Sequence, residues 1–410
     1  MEFEVVGGVY QEYCSWPNHE VVLGSAGRAA YCLSLLDRHM EIKLHSRMSE
    51  SDREQLISSF VFLNNCKFQF YDCDTTVKFD YFHPLAEPRI IPTQKYDDLP
   101  IFEPKISNDC ATIVFGMIEA CPKIDTDIAV YDPQNTHNPL LFSQVGSAHK
   151  RLAYVANQGE LAIFYKREHR QVASTEEMAK WLSEKESAEV VVIKCGKKGA
   201  YVYSVNEQGW VNAYKTKSVF PIGSGDSYVA AFSYYWLKQC DSPLVAADKA
   251  SIATAYYVTH KTMADVSNLL TFAKGLTQYE FKVDAPNVYL AGPFFTLSEL
   301  WMVNETKYFL ESFGLDVFSP YHAVGMGSAD EVVQKDIDAI KECDVIFAIF
   351  DGNDPGTLFE IGYARSINVP VIILAQNPKD EELKMYEGTG CKIFDDFASA
   401  IYNVAWSTKL

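Results

Sequence analysis

The chain has 410 residues, which is longer than a single hydrophobic core usually grows, so at least two domains are expected. Its 36 basic and 54 acidic residues give a formal net charge of −18, and such an acidic surface disfavours binding to nucleic acid. No cysteine pair has C-x-x-C spacing, no stretch reaches the roughly 18 apolar residues of a membrane helix, and the first residues lack a secretory signal. We therefore expect a cytoplasmic protein with no nucleic-acid or membrane partner.

The first part of the chain alternates short apolar strands with amphipathic helical patterns, which indicates an α/β domain over residues 1–282. The predicted strands are Ala111–Phe115, Asp127–Tyr131, Val190–Lys194 and Ala200–Tyr203. The predicted helices are Gly27–Asp37, Thr175–Glu184, Ser227–Lys238 and Val245–His260. The charged stretch Gln278–Asn287, which contains a proline, is the predicted linker.

A second α/β pattern follows the linker and defines a domain over residues 283–410. Strands are predicted at Val288–Ala291, Asp316–Phe318, Val345–Phe350 and Val369–Leu374, and helices at Leu297–Phe313, Ala329–Cys343 and Thr357–Ile367. This order predicts a small parallel sheet covered by helices. In such sheets ligands bind at the carboxyl ends of the strands.

Glu360 lies in "DGNDPGTLFEIGYA", one turn into the helix that leaves such a strand end. Its sequence context allows a structural role, because Thr357 and Glu360 have the S/T-x-x-E spacing of a capping box. In that arrangement Thr357 caps the helix and Glu360 reaches back to it. At the same position the Glu360 carboxylate could instead take part in a reaction.

Neighbouring residues favour chemistry at this strand end. Asp354 lies in the same loop, and Asp336 lies beside the predicted buried face of the preceding helix, which Val332, Val333, Ile337 and Ile340 mark. Gly292 and Pro293 end the first strand and offer a small-residue floor where a ligand can approach the backbone. Several carboxylates around one crevice suggest reaction at a glycosidic carbon, where one carboxylate attacks and another acid assists the leaving group.

The segments "VYLAGPFF" and "DIDAIKECDVIFAIFDGNDPGTLFEIGYA" resemble the nucleoside 2-deoxyribosyltransferase family over about 120 residues from Val288. The resemblance implies that Glu360 is the nucleophile, that Tyr289 orients it, that Asp336 exchanges a proton with the base and that Asp354 holds the sugar. It implies no cofactor, and it implies a homo-oligomer because family members share sites between subunits. A sugar-binding asparagine is also implied, for which Asn403 is a weak candidate.

The first domain contains "PIGSGDSYVAA", in which a glycine-rich loop runs into a helix and directs free backbone N–H groups at an anion. Alone, this fragment equally fits a turn that caps a helix. It occurs in order after "GSAGRAAYCLSLLD", "VYDPQN", "VANQGE" and "VVIKCGKKGAYVY", and together these segments resemble the PfkB, or ribokinase-like, sugar kinases.

This second resemblance implies a kinase that uses ATP and Mg²⁺. Asp226 would be the catalytic base. The other implied positions are Gly223, Ser224 and Gly225 for the anion hole, Asn157 and Glu160 for Mg²⁺ and the phosphates, and Gly196 and Gly199 for a hairpin near ATP.

The acceptor half departs from the family pattern. Phe220 and Pro221 replace the usual Asp-Thr, Glu12 and Arg28 stand at the sugar-contacting positions, and Lys194 replaces a Thr or Ser of the ATP-side strand. A larger acceptor such as a nucleoside, or a domain that only binds a nucleotide, therefore suits the sequence better than ribose.

Together these features predict a ribokinase-like three-layer α/β/α domain followed by a small flavodoxin-like or Rossmann-like domain. The expected function is a bifunctional enzyme of nucleoside metabolism that acts on small nucleosides, nucleobases or sugars. The alternative is an N-glycoside hydrolase of nucleotides or NAD, a possible nucleotide-depleting effector, whose kinase-like domain acts as a non-catalytic nucleotide sensor.

Overall fold

The structure is a computed structural model that describes residues 2–93, 99–135, 138–171, 173–280, 286–325 and 329–407, without the side chains of residues 329–332 and 380. The chain divides into two compact units. The first comprises residues 1–214 and 220–279, and the second comprises residues 280–410 together with the short segment 215–219. The predicted linker Gln278–Asn287 lies partly outside the described residues.

The strands before residue 280 are β1 (Phe3–Val6), β2 (Gln11–Cys14), β3 (His19–Val22), β4 (Ile42–Met48), β5 (Cys66–Asp72), β6 (Lys78–Tyr81), β7 (Arg89–Ile91), β8 (Ile101–Phe102), β9 (Ala111–Phe115), β10 (Cys121–Pro122), β11 (Ile128–Asp132), β12 (Arg151–Asn157), β13 (Val190–Lys194), β14 (Gly199–Ser204), β15 (Gln208–Asn212), β16 (Tyr214–Lys215) and β17 (Thr277–Gln278). The helices are α1 (Gly24–Leu36), α2 (Glu50–Ser59), α3 (Gln158–His169), α4 (Thr175–Glu186), α5 (Ser224–Ser233), α6 (Pro243–His260) and α7 (Val266–Ala273).

A nine-stranded sheet forms the middle of the first unit, in the order β15-β14-β13-β12-β11-β9-β1-β4-β5. All neighbours are parallel except in the β13-β14-β15 meander. Val191 and Ile193 pack into the core formed with α3 and α4, and the alternating residues of β13 face the opposite layer. Burial on both faces explains why β13 begins with four apolar residues and why β9 contains only one polar residue, Thr112.

A smaller sheet of the first unit has the order β3-β2-β6-β7. Strands β2 and β6 are parallel, and Glu12 is paired with Phe79 while Cys14 is paired with Tyr81. Because alternate residues of a strand point to one face, Phe79 and Tyr81 share a face with Glu12. This sheet places aromatic and acidic side chains at the same site.

The second unit contains β18 (Asn287–Ala291), α8 (Leu297–Ser312), β19 (Asp316–Phe318), α9 (Pro320–Ala323), α10 (Ala329–Glu342), β20 (Val345–Ile349), α11 (Pro355–Ser366), β21 (Val371–Leu374), α12 (Asp380–Gly388), β22 (Lys392–Phe394) and α13 (Phe397–Ala405). Its five parallel strands have the order β19-β18-β20-β21-β22. Counted within the unit this order is 2-1-3-4-5, which is the flavodoxin-like order. The predicted parallel sheet is therefore confirmed, with a fifth strand that the sequence pattern did not reveal.

None of the helices in the described ranges has the length and apolar character that a bilayer crossing needs.

Candidate active sites

The carboxylate of Glu360 is joined to the phenol of Tyr289 in the second unit. Tyr289 lies in the middle of β18 and is fully buried, with its ring stacked on Phe318 at a centroid distance of 5.6 Å. Its hydroxyl donates a hydrogen bond of 2.6 Å to Oε1 of Glu360, which lies on α11. The strand thus fixes a donor, and the donor orients the carboxylate.

The capping-box interpretation of Glu360 is wrong. Helix α11 begins at Pro355, and its N-cap is Asp354, whose Oδ2 accepts from the Thr357 backbone N–H at 2.7 Å and from the Thr357 hydroxyl at 2.9 Å. Proline is favoured at the first helical position because its missing N–H is not needed there. Asp354 therefore caps the helix, and Glu360 is left for Tyr289.

Electrostatics around Glu360 are unusual for a surface glutamate. Burial raises its pKa to about 7, the Tyr289 hydrogen bond opposes that rise, and the charges of Asp336 and Asp354 add to it. These three carboxylates are thus close enough to influence one another. A carboxyl group with a pKa near neutrality beside other acids is typical of an active site.

Asp336 lies on α10 with its carboxylate half-buried. Its Oδ1 is buried and accepts no hydrogen bond from the part of the chain that the structure describes, and burial raises its pKa. Asp338, two residues further on, is exposed and paired with Lys341 at 3.0 Å. Only the first of these aspartates is thus available to a ligand beside Glu360.

The predicted apolar face of α10 is partly wrong. Ile340 is buried, but Val333 is 47% exposed. The side chain of Val332 lies outside the described residues.

Tyr289 and Glu360 lie at the switch point of the five-stranded sheet. β18 and β20 are its first and third strands in chain order and are neighbours, while the second and fourth strands lie on opposite sides of them. The connections that follow two such neighbouring strands lead in opposite directions along the sheet, so a crevice opens between the ends of the two strands. Tyr289 comes from β18, and Glu360 comes from the helix that follows β20.

Three other predicted positions of this unit, Gly292, Pro293 and Asn403, have structural explanations. A Cβ on Gly292 would lie 3.0 Å from the Cβ of Ile349, so close packing of β18 on β20 favours glycine there, and Pro293 is buried. The amide nitrogen of Asn403 donates to the carbonyls of Thr216, Lys217 and Ser399 at 3.2, 3.1 and 2.9 Å. The structure therefore gives Asn403 an anchoring role.

A cavity of about 520 Å³ opens in the first unit. It brings together seven of the predicted positions, namely Glu12, Asn157, Glu160, Gly196, Gly223, Gly225 and Asp226. Three others lie outside its lining. Arg28 is buried beneath it, Ser224 donates its N–H to the Pro221 carbonyl at 3.0 Å, and Gly199 packs against the backbone of β15.

Asp226 lies in the first turn of α5, where backbone N–H groups lack partners within the helix. Its Oδ1 accepts a hydrogen bond of 2.7 Å from Gln134, and its Oδ2 lies 3.4 Å from Nε of Arg28. The same Gln134 amide donates to Asp132 at 3.0 Å. Neither Gln134 nor Asp132 is among the predicted site residues, although both lie in the "VYDPQN" segment.

Arg28 forms a buried ion pair with Glu12. The two residues that depart from the kinase pattern are thus partners of each other. Arg28 also packs against Gly223, whose φ of 78° lies in the left-handed region and whose hypothetical Cβ would come within 1.8 Å of Arg28 Nε. Any side chain at position 223 would collide with the guanidinium, so the loop requires glycine.

Lys194 provides a fixed cation on the other side of the loop. Its Nζ donates to Oδ2 of Asp132 at 2.5 Å, and it would lie 3.4 Å from a Cβ at Gly225. The ammonium group therefore borders the helix N-terminus at which an anion would be bound.

Asn157 and Glu160 fit a nucleotide with its bound metal ion better than they fit a free metal ion. Asn157 and Glu160 form a capping box, with backbone-to-side-chain bonds of 2.9 and 2.8 Å, and burial together with the charge of Asp132 raises the pKa of Glu160 to about 8. The described residues contain no cluster of three or more potential metal ligands. Glu160 lines the cavity, and a single carboxylate there suits Mg²⁺ that arrives on phosphates, a usual mode for this ion.

Two family models match this chain, one before and one after residue 280. Residues 288–393 match the family described as nucleoside 2-deoxyribosyltransferase, and residues 106–268 match the pfkB family carbohydrate kinase. A curated relative, 5-dehydro-2-deoxygluconokinase of Bacillus subtilis, is 41% identical over 86 residues, which is 20% of this chain and 26% of that protein. The aligned part thus spans about a quarter of the relative.

Solved structures confirm the fold of the first unit. A ribokinase from Thermotoga maritima has a TM-score of 0.50 at 15% identity, covering 67% of this chain and 100% of that one. A nucleoside kinase of Methanocaldococcus jannaschii, an archaeal member of the ribokinase family, has a TM-score of 0.51 at 13% identity, covering 67% and 98%. The two resemblances drawn from the sequence, to PfkB kinases and to nucleoside 2-deoxyribosyltransferases, are therefore confirmed, and the fold of the first unit is ribokinase-like.

Proposed function

We propose that this chain is a bifunctional enzyme of nucleoside metabolism. Its second unit breaks the N-glycosidic bond of a nucleoside or deoxynucleoside with Glu360 as nucleophile, and its first unit transfers a phosphoryl group from ATP to a sugar or nucleoside. The observation that carries the proposal is the Glu360 carboxylate, held by the buried Tyr289 hydroxyl at 2.6 Å at the sheet's switch point.

The glycosidic reaction follows from the roles of three residues. The ionised Glu360 attacks the anomeric carbon, the bond from that carbon to the base nitrogen breaks with its electron pair going to the base, and protonated Asp336 supplies a proton to the departing base. The raised pKa of Asp336 suits an acid that must carry a proton. A second base or water then attacks the same carbon and gives its proton to the ionised Asp336, while the bond from that carbon to the Glu360 oxygen breaks and the carboxylate is released.

Tyr289 has a positioning role in this scheme. Its hydrogen bond favours the ionised form of Glu360, which is the nucleophilic form. Asp354 fixes the start of α11 and therefore the height of Glu360 above the sheet. The family resemblance implies that Asp354 holds the sugar. Because its carboxylate already caps α11, that carboxylate would have to perform both functions.

In the first unit, Asp226 takes the proton from the acceptor hydroxyl as that oxygen attacks the phosphoryl group. Backbone N–H groups of the first turn of α5 face the developing negative charge. Gly223, Gly225 and Lys194 would hold the nucleotide phosphates, and Glu160 would hold their Mg²⁺. When bound, ATP with Mg²⁺ supplies the phosphoryl group and neutralises part of its charge.

Covalent trapping tests the glycosidic role. Incubation with a 2-fluoro-2-deoxynucleoside followed by mass spectrometry should give a sugar adduct on the peptide that contains Glu360. Glu360→Gln should abolish both adduct and turnover, whereas Glu387→Gln, at an exposed glutamate of the same unit, should retain both. Full turnover in Glu360→Gln would exclude the proposed nucleophile.

Product analysis separates transfer from hydrolysis. With one nucleoside and a second free base, a new nucleoside indicates transfer to the base. Free sugar alone indicates that water is the acceptor and supports the hydrolase alternative.

A second function is favoured for the first unit by the position of Arg28. Its guanidinium Nε lies 3.4 Å from Oδ2 of Asp226, and Gln134 donates to Oδ1, so both oxygens of the proposed base already have partners. In this alternative the cavity binds a nucleotide without transferring phosphate and acts as a sensor for the second unit. Saturable nucleotide binding without ATP consumption, across a panel of sugars and nucleosides, would support the sensor and exclude the kinase.

A further inference from the structure

The cavity of the first unit has an aromatic wall that the proposed phosphoryl transfer does not use. We define this wall as Tyr10, Phe79 and Tyr81, which all line the cavity. The ring centroids of Tyr10 and Phe79 are 5.1 Å apart, and those of Phe79 and Tyr81 are 6.3 Å apart with the rings nearly parallel at 20°. Three adjacent rings thus line one part of the cavity.

The wall is held rigidly by the small sheet. Phe79 and Tyr81 alternate along β6, and Tyr10 immediately precedes β2, the parallel neighbour of β6. Tyr10 and Phe79 pack with Val77 and Ile118, and the Tyr10 hydroxyl donates to Glu119 at 3.0 Å. A rigid aromatic surface can stack a planar ligand with little loss of conformational entropy.

Several polar groups near the acceptor position already bond to one another, although Nε of Arg28 donates no hydrogen bond and Oδ1 of Asp132 accepts none among the described residues. Gln134 uses its NH₂ group for Asp226 and Asp132 at 2.7 and 3.0 Å, and its carbonyl oxygen accepts from the Ser25 hydroxyl. Glu12 is paired with buried Arg28. A free sugar carries several hydroxyl groups that must find partners when they leave water, and a site with satisfied polar groups offers few.

We propose that the acceptor bound in this cavity is a nucleoside whose base stacks on the wall formed by Tyr10, Phe79 and Tyr81, with a sugar hydroxyl directed at Asp226. This inference rests on the proposed function of the first unit and specifies its acceptor class. The base supplies a flat apolar face that matches the wall, and the cavity of about 520 Å³ falls in the range of small-ligand sites.

The experiment places a reporter in the wall. 4-Fluorophenylalanine is incorporated at Phe79 in the full chain, which also carries Glu360→Gln so that nucleosides are not consumed, and the ¹⁹F resonance is followed during titration. Adenosine, guanosine, cytidine and thymidine are compared with free ribose and 2-deoxyribose. A second chain carries the label at Phe82, which is 58% exposed and does not line the cavity.

At least one nucleoside should shift the label at position 79 saturably, and neither sugar should do so at the same concentrations. The label at position 82 should not move. Tyr81→Leu should raise the titration midpoint by about 5- to 100-fold, the range expected from loss of one stacking contact, whereas Phe82→Leu should leave it unchanged.

Three results would overturn the inference. They are no saturable shift with any of the four nucleosides, an equal shift with ribose, or an unchanged midpoint in folded Tyr81→Leu. Phosphotransfer is scored separately with the chain that carries neither label nor substitution. Nucleoside binding without ATP consumption would refute the proposed kinase activity and leave the nucleoside-binding inference supported. ATP-dependent phosphorylation of ribose without nucleoside binding would support the kinase activity and refute the nucleoside-binding inference.

Discussion

Glu360→Gln should stabilise the folded chain at pH 8 and leave its stability nearly unchanged at pH 5. Burial and the charges of Asp336 and Asp354 raise the pKa of Glu360 to about 7 in the folded protein, from an ordinary value of 4.5. A raised folded-state pKa means that the folded chain holds the proton more tightly than the unfolded chain does. The stability that the folded chain gains from this proton is therefore present below pH 4.5 and is lost as the pH rises to about 7.

The magnitude follows from that shift. Each pKa unit corresponds to about 1.36 kcal/mol, and a rise from 4.5 to about 7 corresponds to a free-energy cost of about 3 kcal/mol for the ionised carboxylate as an upper bound. Glutamine removes the charge and keeps an oxygen that can accept from the Tyr289 hydroxyl. Its neutral amide avoids that cost at pH 8, whereas at pH 5 the native carboxyl group is already largely protonated.

Calorimetric unfolding of the full chain at pH 5 and pH 8 measures the effect without knowledge of the substrate. The midpoint temperature of the transition that responds to Glu360→Gln should rise by several degrees at pH 8. Glu387→Gln, at an exposed position of the same unit, should change the midpoint temperature little at either pH. Equal or lower stability of Glu360→Gln at pH 8 would refute the reasoning, because it would show that the native carboxylate is well solvated.

Three further predictions concern other positions. Asp336→Asn should lower glycosidic turnover by about 10²-fold or more, while exposed Asp338→Asn should not; steady-state rates with one nucleoside decide between them. Tyr289→Phe removes a hydrogen bond to a charged group, worth about 1.5–3 kcal/mol, so the acid limb of the pH–rate profile should move up by about 1–2 units; an unmoved limb would show that the phenol does not stabilise the ionised carboxylate. Gly223→Ala should destabilise the first unit by more than Gly196→Ala, because both glycines have positive φ but a Cβ meets other atoms within 4 Å only at position 223; denaturant midpoints compare the two.

The fold could be predicted well because its signals are local. Strand β13 coincides with the predicted Val190–Lys194, and β19 coincides with the predicted Asp316–Phe318. Parallel strands buried on both faces leave uninterrupted apolar runs that are visible in the sequence. By contrast, β22 has three residues, Lys392–Phe394, and a segment this short contains too little pattern to reveal a strand.

The contacts within the candidate sites could be predicted only in part. The sequence indicated Glu360 and Tyr289, and the structure joins them across 71 positions. It also pointed separately to Glu12 and Arg28 as departures from the kinase pattern, but their pairing requires the fold. The capping-box error had a local cause, because the sequence offers two candidate N-caps, Asp354 and Thr357. In the structure Pro355 occupies the first helical position, so Asp354 is the N-cap.

The short segment 215–219 bears on any attempt to dissect this chain. It belongs to the second unit although its sequence lies within the first 282 residues, and there its Val219 N–H donates to the Ser399 hydroxyl at 2.8 Å. Expression of residues 283–410 alone would strip α13 of these partners and expose the groups that they satisfy. A split-gene test of the two activities should therefore retain the intact polypeptide and silence each half by point substitution.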